Sequence, residues 1–254
     1  MGKNKLQKFA MMEGYPHVFQ CPYSVWREGE EFSLKGKWRE EFFKNNHPIV
    51  LELGCGRGEY TTSLASLFPE KNYIGVDIKG ARMWAGAKES LEKGLSNVAF
   101  LRTHIEWIDA FFAPQEVEEI WITFPDPQMK KERKRLTSPL FLEQYQRVLR
   151  EGGVVHLKTD SHFLFTYTKA LLEKNDILPL RKSEDISQDY PNDAVLSIPT
   201  AYEEQWRERG IAIKYISFSI PQGRKLESPQ VEIAPDEYRS FNRSRRSVQP
   251  KKEE

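Results

Sequence analysis

Apolar positions along the chain fall into short unbroken runs separated by stretches with helical spacing. Ile49–Leu53 is an apolar run that ends in glycines, and Asn72–Val76, Val98–Leu101, Glu119–Phe124 and Val154–Lys158 read as further strands. Between them, Tyr60–Phe68 shows helical spacing and stops before Pro69, and Ala81–Lys93 forms a second helix. Pro139–Arg150 is a third, closed by Gly152 and Gly153, and Phe163–Lys174 a fourth. Ile211–Ser219 alternates apolar and polar residues as a last strand. Strands that alternate with ten- to fifteen-residue helices predict an α/β domain, a mostly parallel sheet with helices on both faces. In such sheets ligands bind beyond the carboxyl ends of the strands.

The flanks read differently, and the pattern divides the chain into 1–47, 48–219 and 220–254. The first segment is mixed, with one helix predicted around Phe32–Lys44, where Phe32, Trp38, Phe42 and Phe43 share a face. From Ile220 onward Pro, Ser, Lys, Arg and Glu dominate. The last sixteen residues, Arg239–Glu254, carry six basic and two acidic side chains, and a segment this poor in apolar groups is expected to be a disordered or loosely docked basic tail.

Composition narrows the classes. With 38 Lys+Arg against 37 Asp+Glu in 254 residues the net charge is +1, which speaks against a uniformly basic nucleic-acid binder but not against a local basic patch. Two cysteines, Cys21 and Cys55, make neither a disulfide framework nor a four-thiolate metal site, and the five histidines show no metal spacing, so no metal is expected. No apolar stretch approaches the ~20 residues needed to span a bilayer. The basic stretch Met1–Lys8 has no apolar region behind it, so the expected location is the cytoplasm, with no membrane partner. Whether the chain is a monomer or a homodimer is left open.

Candidate chemistry starts at the first strand, which runs into Glu52-Leu-Gly54-Cys-Gly56-Arg-Gly58. Glycines at spacing two allow a tight turn and a close approach of backbone to ligand at a helix start. A dinucleotide fingerprint would space them G-x-G-x-x-G. Here Glu52 stands at the mouth of the strand, where it would repel a pyrophosphate and suit a cationic ligand. The second strand ends at Asp77, placed to accept from both hydroxyls of a ribose. Together these residues predict an S-adenosylmethionine site of the class I methyltransferase kind, with Glu52, Gly54, Gly56, Gly58 and Asp77 binding the cofactor.

After the fourth strand comes Phe124-Pro-Asp126-Pro127, a loop stiffened by two prolines that holds one carboxylate at the ligand edge. Lys130 to Arg135 then carry five positive charges and one negative. Placed on the active edge, that run favours a polyanionic substrate over a merely solvated face.

These motifs resemble the bacterial tRNA (guanine-N7-)-methyltransferases over roughly Ile49 to Ser219. The likeness is carried by the glycine loop, Tyr73-Ile-Gly-Val-Asp77, Phe124-Pro-Asp-Pro127 with Lys130-Lys131 and Arg133-Lys-Arg-Leu136, Lys158-Thr-Asp160 and Thr200-Ala-Tyr-Glu203. The resemblance implies the Rossmann-like class I methyltransferase fold with a mostly parallel, seven-stranded sheet, and methyl transfer from S-adenosylmethionine to N7 of a guanine in the variable loop of tRNA. It places Asp126 at the reacting centre and against the cofactor, and Lys130, Asp160, Thr200, Tyr202 and Glu203 on the substrate nucleotide. Lys131, Arg133, Lys134 and Arg135 would hold the RNA backbone. Three departures stand out. Gln128 replaces the family's usual Trp, the basic run is about two residues shorter, and an acid that touches the adenine in the family aligns with His104, which is taken here either as its replacement or as a surface or capping residue. Two other readings share the fold: a methyltransferase for another RNA or a small molecule, and a non-catalytic RNA-binding protein.

Overall fold

The structure is a computed structural model that describes residues 2–21 and 32–237, with side chains from Leu6 onward. In chain order the elements are α1 (Gly2–Glu13), β1 (Val18–Gln20), a π-helical turn (Trp38–Phe43), β2 (Ile49–Leu53), α2 (Glu59–Leu67), β3 (Asn72–Val76), α3 (Gly80–Glu92), β4 (Val98–Arg102), α4 (Ile108–Phe111), β5 (Val117–Thr123), α5 (Pro139–Val148), β6 (Leu149–Thr159), α6 (His162–Lys174), β7 (Arg181–Ser183), α7 (Ile186–Asp189), α8 (Ala201–Arg207) and β8 (Lys214–Ser219). The sheet has eight strands in the order β1-β4-β3-β2-β5-β6-β8-β7. The pairs from β1 to β6 are parallel, and β8 runs antiparallel to both β6 and β7.

β2 and β3 are buried at every position, as central parallel strands covered on both faces must be, and this is why they read as continuous apolar runs. The long helices that flank the sheet turn an apolar stripe inward. In α5, Phe141, Leu142, Tyr145 and Val148 are the buried positions, spaced three and four apart. Ser161 caps α6, accepting from the Leu164 amide at 2.9 Å, and Thr200 caps α8, accepting from the Glu203 amide at 3.1 Å. No helix among the described residues is long and apolar enough to cross a membrane.

Two boundaries of the sequence reading need correction. The strand count rises from seven to eight because the N-terminal segment is part of the sheet: β1 pairs with β4, Val18 opposite Phe100. Part of the helix predicted over Phe32–Lys44 forms as a single π-helical turn around fully buried Trp38, whose indole donates to Phe111 O at 3.0 Å and stacks on Phe112. Glu116, also buried, accepts from the amides of Gly36, Trp38 and Ala113, so this region is fastened to the sheet and is no separate extension.

The tail is corrected likewise. Ile220, Leu226 and Asp236 are buried. Gln146 on α5 donates to Pro221 O and Arg224 O, and Glu143 accepts from the Leu226 amide. Asp236 accepts from Ser161 Oγ and from the Phe163 amide at the start of α6, and its own amide donates to Met129 Sδ. Residues 220–237 therefore dock across α5 and α6. The rest of the basic tail, 238–254, lies outside the described residues.

Candidate active site

Beyond the carboxyl ends of β2, β3 and β5 opens a cavity of about 440 Å³. Its lining includes Glu52, Gly54, Cys55 and Gly56 from the first loop, Asp77 and Lys79 from the second, and Phe124, Pro125 and Asp126 from the loop after β5. Arg57, Arg82, Lys134, Thr200 and Tyr202 also face it.

The glycine loop is built by backbone geometry. Gly54, Gly56 and Gly58 all have positive φ, at 80°, 57° and 75°, in the left-handed region that L side chains avoid. Gly58 has a second reason to be glycine. A Cβ there would stand 2.6 Å from the Phe100 ring and 3.1 Å from the Cα of Gly86 on α3. The Gly54 and Cys55 amides both donate to Val76 O, and the Gly56 amide donates to Asp77 Oδ2 at 2.9 Å. Asp77 Oδ1 accepts from the Lys79 amide at 2.7 Å, so one carboxylate ties the first two loops together and keeps acceptor capacity toward the cavity.

Glu52 is 3% exposed. It accepts from the Thr61 amide at 2.9 Å, from the Thr61 hydroxyl, and from Thr123 Oγ1 at 2.6 Å. Burial raises its carboxyl to about 7, with the Asp77 charge adding to the rise and the three donors opposing it. A carboxyl in that state favours a positively charged neighbour. Cys55 is buried in the same loop, and burial together with the charges of Asp77 and Glu52 pushes its thiol far up, which keeps it protonated and unreactive.

The Phe-Pro-Asp-Pro loop is pinned at both ends by non-glycine residues in the left-handed region, Phe124 and Gln128, each with φ 47°, a strain of about 1–3 kcal/mol per residue. The Phe124 amide donates to Lys158 O at 2.8 Å, and Asp126 Oδ1 accepts from the Gln128 amide at 3.0 Å. Asp126 is exposed at the cavity rim. Lys130, Lys131, Arg133 and Lys134 are exposed along the following turn.

Arg135 is not. It is 8% exposed, its guanidinium lies 4.3 Å from the Tyr167 ring centroid and 4.8 Å from that of Phe163, and it donates to Gln128 O and Met129 O. It braces the basic turn from within, so the expectation that it holds RNA backbone is corrected. Glu203 moves in the same way. At 1% exposure it pairs with Lys158 Nζ at 2.6 Å and with Arg207 at 2.7 Å, and it does not line the main cavity. Lys158 is fully buried and also donates to Leu196 O and Ile198 O, and burial pushes its ammonium below the usual lysine range against the pull of Glu203. Asp160, at 1% exposure, sits at the end of β6 away from the cavity lining. His104 does not line the cavity either. Its ring rests against Trp107 and its side chain is 42% exposed, and at the N-cap position of the turn after β4 it makes no side-chain cap hydrogen bond, so it stands as a surface residue.

Sequence reasoning misses Thr61 and Thr123, the hydroxyls that hold Glu52, and it misses Arg57, Lys79 and Arg82 on the rim. Arg57 lies inside the glycine motif and could have been found there. The others come together only through the fold. Among the described residues no cluster of three or more His, Cys, Asp or Glu could hold a metal ion.

The family model Methyltransf_4, described as "Putative methyltransferase", matches residues 46–216. The chain is similar to a protein of Bacteroides fragilis named tRNA (guanine-N(7)-)-methyltransferase, at 59% identity over 97% of this chain and 98% of that one. A protein of the same name from Porphyromonas gingivalis is 60% identical over 93% and 98%. Among solved structures, the 16S rRNA methyltransferase KamB superposes with a TM-score of 0.52 at 17% identity, over 75% of this chain and 95% of that one, a likeness of fold alone. With a glycine-loop cavity at the carboxyl edge of a mostly parallel sheet, and relatives of 59% and 60% identity that span nearly its whole length, this chain belongs to the tRNA (guanine-N(7)-)-methyltransferase family.

Proposed function

We propose that this chain transfers a methyl group from S-adenosylmethionine to N7 of a guanosine in the variable loop of tRNA, in the cytoplasm. One observation carries the reading: a single cavity joins two acidic loop ends, Glu52 and Asp77, to an exposed carboxylate, Asp126, and a cationic turn. The donor set fits the cofactor. Glu52, with its carboxyl at about 7, gains from a cationic amino and sulfonium ligand, and Asp77 has lone pairs to spare for two ribose hydroxyls. The left-handed glycines leave no Cβ between the backbone and the ligand. When bound, S-adenosylmethionine supplies a methyl group on a positively charged sulfur.

Guanine N7 has an in-plane lone pair and no proton, so no side chain need act as a base. The residues must place N7 in line with the methyl and keep water out. Positive charge moves onto the purine, and a fixed carboxylate beside it is stabilising, by the logic of an oxyanion hole with reversed sign. Asp126, clamped between two prolines and two left-handed residues, has that electrostatic role. Thr200 and Tyr202 on the opposite wall orient the nucleotide, and Lys130, Lys131, Arg133 and Lys134 hold the RNA backbone. Glu203 acts from beneath, by fixing α8 against Lys158.

The deciding experiment incubates the protein with tRNA and methyl-labelled cofactor, then digests the RNA for mass analysis. Label in N7-methylguanosine at one variable-loop position is expected. Label in any other nucleoside would overturn the reading.

A further inference from the structure

A second, smaller cavity of about 230 Å³ lies beside the first, lined by Arg57, Arg82, Ala201, Tyr202 and Gln205. Arg57, Arg82 and Tyr202 also line the main cavity, so they form the wall that the two share. Arg82 reaches across from α3 to donate to the Tyr202 hydroxyl on α8 at 2.8 Å, with its Cζ 6.0 Å from the ring centroid, and Tyr202 as a residue stays 37% exposed. Arg57 leaves the glycine loop with its side chain 55% exposed and its Nε 3.2 Å from Glu59 Oε1. Glu59 in turn accepts from the Ala201 amide at 3.0 Å, which locks α8 over the loop. Glu59 offsets one guanidinium, and the five residues lining the side cavity include no carboxylate, so it carries net positive charge beside a partly exposed aromatic residue.

The sheet order fixes where this wall stands. Arg82 follows β3 and the basic turn follows β5, and these strands flank β2 on opposite sides. The main cavity therefore has two cationic rims, with the glycine loop between them. A nucleotide seated in it sends its chain neighbours outward in two directions. On the cationic rims these directions correspond to Lys130–Lys134 on one side and the Arg82–Tyr202 wall on the other.

We infer that the side cavity is a subsite for the nucleotide adjoining the methylated guanosine, with its phosphate between Arg57 and Arg82 and its base on the Tyr202 ring. The inference rests on reading the main cavity as the guanosine site. Planar guanidiniums suit phosphate oxygens, and an aromatic face accepts any base. The subsite thus reads chain continuity and not sequence. It favours a guanosine inside a strand over a free nucleotide, and an extruded strand over a stacked one, because a base kept in its helical stack cannot lie on Tyr202.

Two measurements on the full chain test it. A tRNA carrying 4-thiouridine on either side of the methylated guanosine is irradiated in complex, and one of the two positions should crosslink to the peptide holding Tyr202 to Gln205. Gln205 lines the side cavity and not the main one, so its charge variants provide the second readout. Gln205→Glu should raise KM for tRNA about five- to tenfold at 0.1 M salt and Gln205→Lys should lower it, both effects fading as salt rises. A folding defect would not move KM in opposite directions. If the protein forms N7-methylguanosine while both thiouridines crosslink elsewhere and neither variant moves KM, the subsite alone is wrong. If no N7-methylguanosine forms in any tRNA, the functional reading fails and takes the subsite with it.

Discussion

Glu52→Gln should make the empty protein more stable at alkaline pH while it disables the site. The Glu52 carboxyl rises from an ordinary 4.5 to about 7 because burial penalises its charge. A group raised in the fold keeps its proton where the unfolded chain has already lost it. The folded state therefore loses ground as pH climbs from 4.5 through 7. Between pH 5 and pH 8 the loss integrates to about 2–3 kcal/mol. Glutamine does not titrate, and its amide can still meet the Thr61 amide and the Thr123 hydroxyl that hold the native side chain. Urea unfolding of both proteins without cofactor, at pH 5 and pH 8, reads the difference directly: the variant should gain about 2–3 kcal/mol on the wild type over that interval. Cofactor affinity should show the mirror image. A cationic ligand needs Glu52 ionised, so wild-type affinity should rise about tenfold from pH 6 to pH 8 relative to the variant, any titration of the ligand itself being common to both. A stability difference that stays constant from pH 5 to pH 8 would refute the reasoning.

Four further outcomes are expected. Asp126→Ala should cut turnover ~10²–10³-fold with little change in tRNA affinity, measured under single-turnover conditions, and unchanged turnover would remove it from the chemistry. Neutralising Lys130, Lys131, Arg133 and Lys134 together should weaken tRNA binding and flatten its salt dependence by a slope of roughly 0.7–0.9 per lost phosphate contact. Arg135→Ala should leave that slope alone and instead lower stability by about 1–2 kcal/mol, through loss of its aromatic and carbonyl contacts, as read by urea titration. Glu203→Gln should cost about 3–5 kcal/mol, because it strips the partner from fully buried Lys158, whereas a paired Lys158→Met/Glu203→Leu change should recover much of that loss.

The parts of the fold legible in the sequence are those whose burial is symmetric. Ile49–Leu53 and Asn72–Val76 match the observed strands residue for residue, because strands covered on both faces leave a mostly apolar run with sharp ends, interrupted in the first only by Glu52. Val18–Gln20 and Arg181–Ser183 are edge strands of three residues each, too short for any alternation to show. Of the site, the glycines, Glu52, Asp77 and Asp126 could be read because backbone geometry confines them to local motifs. The charges could not be sorted in the same way. Lys158 and Glu203 look like ordinary polar residues 45 positions apart until α8 folds back over β6. Arg135 looks like one more cation in a run, and only the approach of α6 brings Phe163 and Tyr167 under its guanidinium. Sequence shows where charge is written and not which charge meets water.

The contact from the Asp236 amide to Met129 Sδ spans 107 residues and bears on how the enzyme is made. Synthesis runs from the N-terminus at ~5–20 residues per second, so roughly 5–20 s pass between emergence of the turn that carries Met129 and of the residue that clamps it. During that interval β2 to β5 can pair and bury their core, yet the start of α6 and the neighbouring basic turn lack their last fastening. A ribosome that stops short of Asp236 would release a chain with a complete parallel core and an unbraced rim.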